Sequence, residues 1–302
     1  MAWTIRTFGS LHLTYNGRSY GGRLSLRSRA LIAFLALRYG RNVRREEIVN
    51  VLWAAEYDKK HQKRLSTLLW RLNHARDSKG KAIRHSVLHV DRNGDIGIEP
   101  DSCTWIDLAA FEETFKAIPV DLKDLARYDV ALMEKAIDLY RGEILPDMDA
   151  EWVTEARNHT RQCYLDMLHI LVDYFGREKA LDKVIAYADR YLQVDPYFER
   201  MHVLLINAHL ASGRRSLAVA SAKACEHLIV NDLGVALSPE TEDVVRALLR
   251  VRRNYFQGLT PRPKDSLSRS HSIGQLRNRL WRLVTACEAV LDELKSPRSP
   301  GH

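Results

Sequence analysis

The chain has 302 residues, 46% of them hydrophobic, which suffices for two domains with real cores, and its longest apolar run, residues 30–37, is far short of the ~20 residues that span a bilayer. No signal peptide opens it and its four cysteines, Cys103, Cys163, Cys225 and Cys287, form no C-x-x-C pair, so it reads as cytoplasmic, neither disulfide-framed nor a zinc ribbon. The net charge of +8 is segregated: residues 1–100 carry 19 Lys+Arg against 8 Asp+Glu, residues 101–249 carry 16 against 26, and residues 250–302 carry 11 against 4, suggesting a head that meets a polyanion and a body that avoids it.

In chain order, short strands are predicted over residues 3–8, 11–15 and 18–22. Asn16-Gly17, flanked by Leu11, Leu13 and Tyr15, is a hairpin signal because both residues tolerate positive φ. The periodicity then turns helical. Leu26, Ala30, Leu31, Phe34 and Leu35 give a broad apolar face that stops at Tyr39-Gly40. A second helix over residues 45–53 buries Ile48, Val49, Leu52 and Trp53.

A third helix is predicted over residues 58–76. Its apolar stripe, Leu65, Leu68, Leu69 and Leu72, follows i, i+3, i+4, i+7, so one face packs inward. Lys60, Lys63, Thr67, Trp70, Arg71 and His74 then point the other way. Residues 86–90 and 95–98 flank Asp91-Arg92-Asn93-Gly94, a hairpin with Arg92 at its tip that reads as a wing. Sheet, three helices and hairpin are the order of a winged helix-turn-helix, whose third helix enters the major groove.

Beyond residue 100 the pattern is helical, over 106–117, 125–141, 151–175, 179–192, 200–211, 216–228 and 239–250, with short connections that favour antiparallel neighbours. Residues 176–181 (GREKAL) parallel residues 213–218 (GRRSLA), a 37-residue offset near the 34-residue tetratricopeptide period. A non-repeating bundle is the alternative. Gly258, Pro261, Pro263 and several serines mark a linker, after which Ile273, Leu276, Leu280, Leu283, Cys287, Val290 and Leu294 form a heptad-like seam. That last helix either folds back on the body or pairs two chains.

Several stretches together resemble the Streptomyces antibiotic regulatory protein (SARP) type of activators, over about residues 3–250. They are Arg29-Ala30-Leu31, Val43, Ile48-Val49-Asn50-Val51-Leu52-Trp53, Leu69-Trp70-Arg71-Leu72, Ile106-Asp107-Leu108 with Phe111-Glu112, and Leu139-Tyr140-Arg141-Gly142-Glu143-Ile144-Leu145 followed by Trp152. Asp232-Leu233-Gly234 with Ser238-Pro239-Glu240 closes the series. The resemblance implies a mainly α fold with a small β part: an OmpR-like winged helix at 1–100, a TPR-like bacterial transcriptional activator domain at 101–253, then a linker at 254–272 and a C-terminal amphipathic helix at 273–295. It further implies an activator that binds promoter repeats in pairs and contacts RNA polymerase. The chain departs from the pattern at Trp70 and His74, where small or basic residues are more usual, and in residues 257–302, which have no counterpart.

On this reading the partner is double-stranded DNA. Arg71 is the candidate for a guanine edge, because a guanidinium bonds O6 and N7 together. Thr67 and Trp70 suit thymine methyls or sugars, His74 lies on the same face, and Lys60, Lys63, Arg64 and the wing's Arg92 suit phosphates. A solvated charged face is the plainer reading of the same residues, and Trp70 packed on the wing or a neighbouring helix is the plainer reading of that ring. The pair His85 and His89 lacks a third metal ligand. His202 and His209 read as core or groove histidines, and Asp147, Asp149 and Glu151 as a loop entering a helix. No catalytic or cofactor motif occurs, so neither an enzyme nor a cofactor is expected. The rival function is a TPR-like protein-interaction scaffold whose winged helix docks protein.

Overall fold

The computed structural model describes residues 3–20, 24–74, 86–98, 104–119 and 125–257, with side chains described as far as residue 249. Cys103, Cys287, His85 and the heptad-like helix at 273–295, with its pairing role, lie outside the described residues.

The first strands are β1 (Trp3–Arg6), β2 (His12–Tyr15) and β3 (Arg18–Ser19). Asn16 and Gly17 both take left-handed φ, 48° and 76°, between the paired Tyr15 and Arg18, as the expected two-residue hairpin requires. A strand absent from the sequence reading, β6 (Thr104–Ile106), runs parallel to β1 and completes the order β3-β2-β1-β6. Helix α4 (Asp107–Ala117) consequently starts one residue later than its periodicity suggests. Three β-branched or aromatic residues suit a strand as well as a helix start, and only the neighbouring β1 decides between them.

Helices α1 (Leu26–Ala36), α2 (Arg45–Trp53) and α3 (Lys59–Asn73) follow, then β4 (His89–Val90) and β5 (Ile96–Gly97). Ser25 caps α1 by accepting from the Ser28 amide at 3.1 Å, and Asp58 caps α3 by accepting from the His61 amide at 2.7 Å. Val43 exchanges two 2.9 Å backbone bonds with Ile96, which ties the β4–β5 hairpin to the segment before α2.

The body comprises α4, α5 (Arg127–Ile137), α6 (Glu151–Arg177), α7 (Leu181–Val194), α8 (Glu199–Ala211), α9 (Arg215–Glu226), a π-helical turn (His227–Asp232) and α10 (Pro239–Gln257). Helix α5 stops at Ile137, short of the expected residue 141, and the chain then turns through Gly142, at φ +124°. Helix α10 reaches Gln257, so the start of the expected linker is helical. The repeat is real but its register differs from the 37-residue sequence match. Equivalent helices α7 and α9 begin 34 residues apart, at Leu181 and Arg215, and the left-handed corners before them are Lys179 (φ 56°) and Gly213 (φ 73°). Gly176 lies inside α6, so matching glycine to glycine slips the alignment by three residues. The buried pairs Val184 with Ala218 and Ala188 with Ala222 recur at the same 34-residue spacing.

One continuous apolar core runs from Trp3 to Ala208. Phe8 packs edge-on to Phe111 and tilts against Tyr140, both at 5.3 Å, and Phe34 meets Trp152 at 5.2 Å. Gly9 donates its amide to Glu143 and Leu145 donates to Thr7, each at 3.0 Å. The Arg157 guanidinium bonds the carbonyls of Ile144 (2.9 Å) and Met148 (2.8 Å). Residues 139–145 and Trp152, which carried part of the family resemblance, therefore form the seam against the segment Thr7–Gly9 after β1 and against α1. Asp107 closes that seam. Its buried carboxylate accepts from the Thr7 amide (2.8 and 3.0 Å), the Thr7 hydroxyl (2.9 Å), the Phe8 amide (3.2 Å) and the Leu108 amide (2.8 Å).

Candidate nucleic-acid interface

Helix α3 divides as its periodicity predicts. Leu65, Leu68, Leu69 and Leu72 are buried, while Lys60, Lys63, Arg64, Thr67, Trp70, Arg71 and His74 are exposed. Asp58 holds the helix start, with His61 Nδ1 also 2.8 Å from its carboxylate, and the His61 hydrogen bonds lower the Asp58 pKa.

Four of the predicted residues come together. Lys63, Arg64, Thr67 and Arg71 line one wall of a cleft of about 670 Å³, and Ser25, Arg27 and Ser28 at the start of α1, with Trp53, line the other. Sequence reasoning missed this second wall. Nothing local to Ser25, Arg27 or Trp53 marks it, because the wall exists only once α1 and α2 are packed beside α3. Arg27 is held by a hydrogen bond to the Leu52 carbonyl and lies 5.2 Å over the Trp53 ring. Three guanidinium or ammonium groups of α3 and one from α1 thus face a single open cleft.

Trp70 and His74 form a separate feature on the same helix. Trp70 remains 61% exposed, so its ring is not packed into the wing or a neighbouring helix. It stacks on the imidazole of His74, centroids 4.7 Å apart and planes 20° from parallel. His74 Nδ1 lies 3.0 Å from the Trp70 carbonyl, which can only accept, so the proton sits on Nδ1. Thr67 spends its hydroxyl proton on the Lys63 carbonyl at 2.8 Å. Lys60 occupies the first turn of α3, outside the cleft.

Arg92 projects from the exposed hairpin tip. Asp91 builds that tip by accepting from the amides of Asn93 and Asp95, both at 2.9 Å, and Gly94 supplies φ +88°. Two residues before and within α2 brace it: Arg45 donates to the Gly94 carbonyl at 2.8 Å, and Asn42 to the Asp91 carboxylate at 3.2 Å.

The histidines and acids set aside in the sequence take structural places. His202 and His209 are buried in α8, and Asp147 bonds Ser10. Among the described residues no group of three His, Cys, Asp or Glu is arranged to hold a metal ion, and no helix is long and apolar enough to cross a membrane.

These elements define a winged helix-turn-helix head on a TPR-like helical body. Residues 106–249 match the model of the bacterial transcriptional activator domain family, and with the relatives below this bears out the SARP-type resemblance. The relatives are regulatory proteins: the chain is 24% identical over 230 residues to the regulatory protein AfsR of Streptomyces coelicolor, and 25% identical over 231 residues to AfsR of Streptomyces griseus. Each match covers 75% of this chain and 22% of the relative, so the chain spans about a fifth of their length. In fold it resembles Mycobacterium tuberculosis EmbR, solved in complex with a low-affinity phosphopeptide. The TM-score is 0.59 at 19% identity, covering 87% of this chain and 66% of that one.

Proposed function

We propose that this chain is a transcription regulator whose head binds double-stranded DNA sequence-specifically, with α3 in the major groove and the β4–β5 wing against the adjacent backbone. The supporting observation is the outward face of α3: cationic, exposed, and continuous with the cleft at the start of α1. A 15-residue helix is about 22 Å long and fits a groove about 12 Å wide. Arg71 reads a guanine through paired bonds to O6 and N7, while Lys60, Lys63, Arg64 and Arg27 neutralise phosphates, and Arg92 does so from the wing. The acidic body, whose family model is that of an activator domain, serves as the platform for partner proteins, with RNA polymerase the expected contact. The domain limits are taken at 1–100 and 101–253.

The test is selection of bound duplexes from a random pool by the full chain, followed by salt titration of the winner. A preferred sequence is expected, with affinity falling linearly in log salt. Lys63→Glu or Arg71→Glu should abolish binding. A scaffold that docks only protein would instead capture partners independently of salt and show no preferred duplex.

A further inference from the structure

We infer that Trp70, held against His74, reads the C5-methyl group of a thymine next to the base pair that Arg71 contacts; this deepens, and rests on, the DNA-binding reading above. A tryptophan left 61% exposed on a helix face that also carries Lys60, Lys63, Arg64 and Arg71 is an apolar surface beside cationic ones. A partner that suits both must combine negative charge with a small apolar group. The duplex major groove does so, and the thymine methyl is the apolar group that base edges present there.

The geometry restricts how the ring can act. The stack on His74 and the Nδ1–H bond to Trp70's own carbonyl pin the imidazole one turn beyond the indole, so His74 holds the ring plane and acts as a positioning residue. Trp70 and Arg71 are consecutive residues of the outward face, about 1.5 Å apart along the helix axis and about 100° apart around it, a separation that lets them reach neighbouring base pairs. Thr67 has no spare proton to donate, its hydroxyl being bonded to the Lys63 carbonyl, and it adds contact without competing for the hydrogen-bond code.

Thymine-to-uracil replacement, which deletes only the methyl, tests this on the selected duplex, one thymine at a time, with the full chain. Burial of one methyl group corresponds to about a fourfold change in affinity. Wild type should lose about that factor at one thymine beside the guanine, and Trp70→Ala should bind the thymine and uracil duplexes equally. His74→Phe, which keeps a stacked ring, should retain the methyl dependence, whereas His74→Ala should reduce it. Trp70 is exposed, so its replacement leaves the core intact, and circular dichroism checks that. If no single replacement matters in wild type, or if the same loss persists in Trp70→Ala, the inference is wrong while the DNA-binding reading stands. If no duplex is preferred over random DNA, both fall together.

Discussion

Asp107 offers the sharpest test of how head and body are joined. In Asp107→Asn the side chain keeps its shape, but one oxygen becomes an amide nitrogen that cannot accept. Four donors converge on the carboxylate: the Thr7 amide and hydroxyl, the Phe8 amide and the Leu108 amide. With the nitrogen in the Oδ2 position the Phe8 amide is orphaned; with it at Oδ1 the Leu108 amide is, and the Thr7 hydroxyl loses its acceptor. A buried orphan donor costs about 1–3 kcal/mol, so a loss of about 2 kcal/mol is expected. For a unit of this size that lowers the melting temperature by about 4–8 °C, measured by calorimetry. The pH dependence sharpens the test. Burial pushes the Asp107 pKa up, against the opposing pull of the bonds from Thr7, Phe8 and Leu108. A raised carboxyl pKa contributes stability that is full below the unfolded value and fades as pH rises through the folded one. The wild-type margin over the asparagine variant should therefore widen as pH falls towards about 4. A margin that closes on acidification, or a variant as stable as wild type at every pH, would refute this account of the seam.

Other outcomes follow from single contacts. Gly97→Ala places a methyl against the Asn42 side chain and 3.0 Å from the Arg41 carbonyl, and Asn42 is tied to Asp91, so overpacking of about 1–3 kcal/mol should loosen the wing. DNA affinity should fall without a change in preferred sequence, read by repeating the selection. Lys63→Ala should lower the slope of log affinity against log salt by about 0.9 while leaving base preference unchanged. Burial lowers the pKa of His202, whose Nε2 donates to the Pro196 carbonyl at 2.8 Å. Its contribution is present above the unfolded value of about 6.5 and lost as pH falls through the depressed one. Denaturation midpoints should drop over that window, less steeply in His202→Gln. The Cys163 and Cys225 thiols are each pushed up to about 11, chiefly by burial. Alkylation mapped by mass spectrometry at pH 8 should label them about a hundredfold more slowly than a free thiol until the chain unfolds.

Much of the fold was legible because its signals are local. The Asn16-Gly17 hairpin, the leucine stripe of α3 and the wing turn at Asp91–Gly94 each depend on the conformational preference or periodicity of residues close in the chain. The outward set from Lys60 to His74 follows from the stripe by helix geometry alone. The cleft wall at Ser25, Arg27 and Trp53 was not legible, because nothing in those residues records which helix lies opposite.

The same division holds for the molecule at large. The sequence by itself determined the charge segregation, the winged-helix order, the helical repeat and the residues that α3 turns outward. Only the tertiary structure decided that Thr104–Ile106 is a strand, that the repeat register is 34 and not 37, and that Asp107 closes a core shared by head and body. Each of those depends on a partner remote in sequence: β1 lies about 100 residues from β6, and Thr7 lies 100 residues from Asp107. A strand, a repeat corner or a buried carboxylate is stable only when that distant partner completes its hydrogen bonds and packing, and local preference carries no information about which partner it will be.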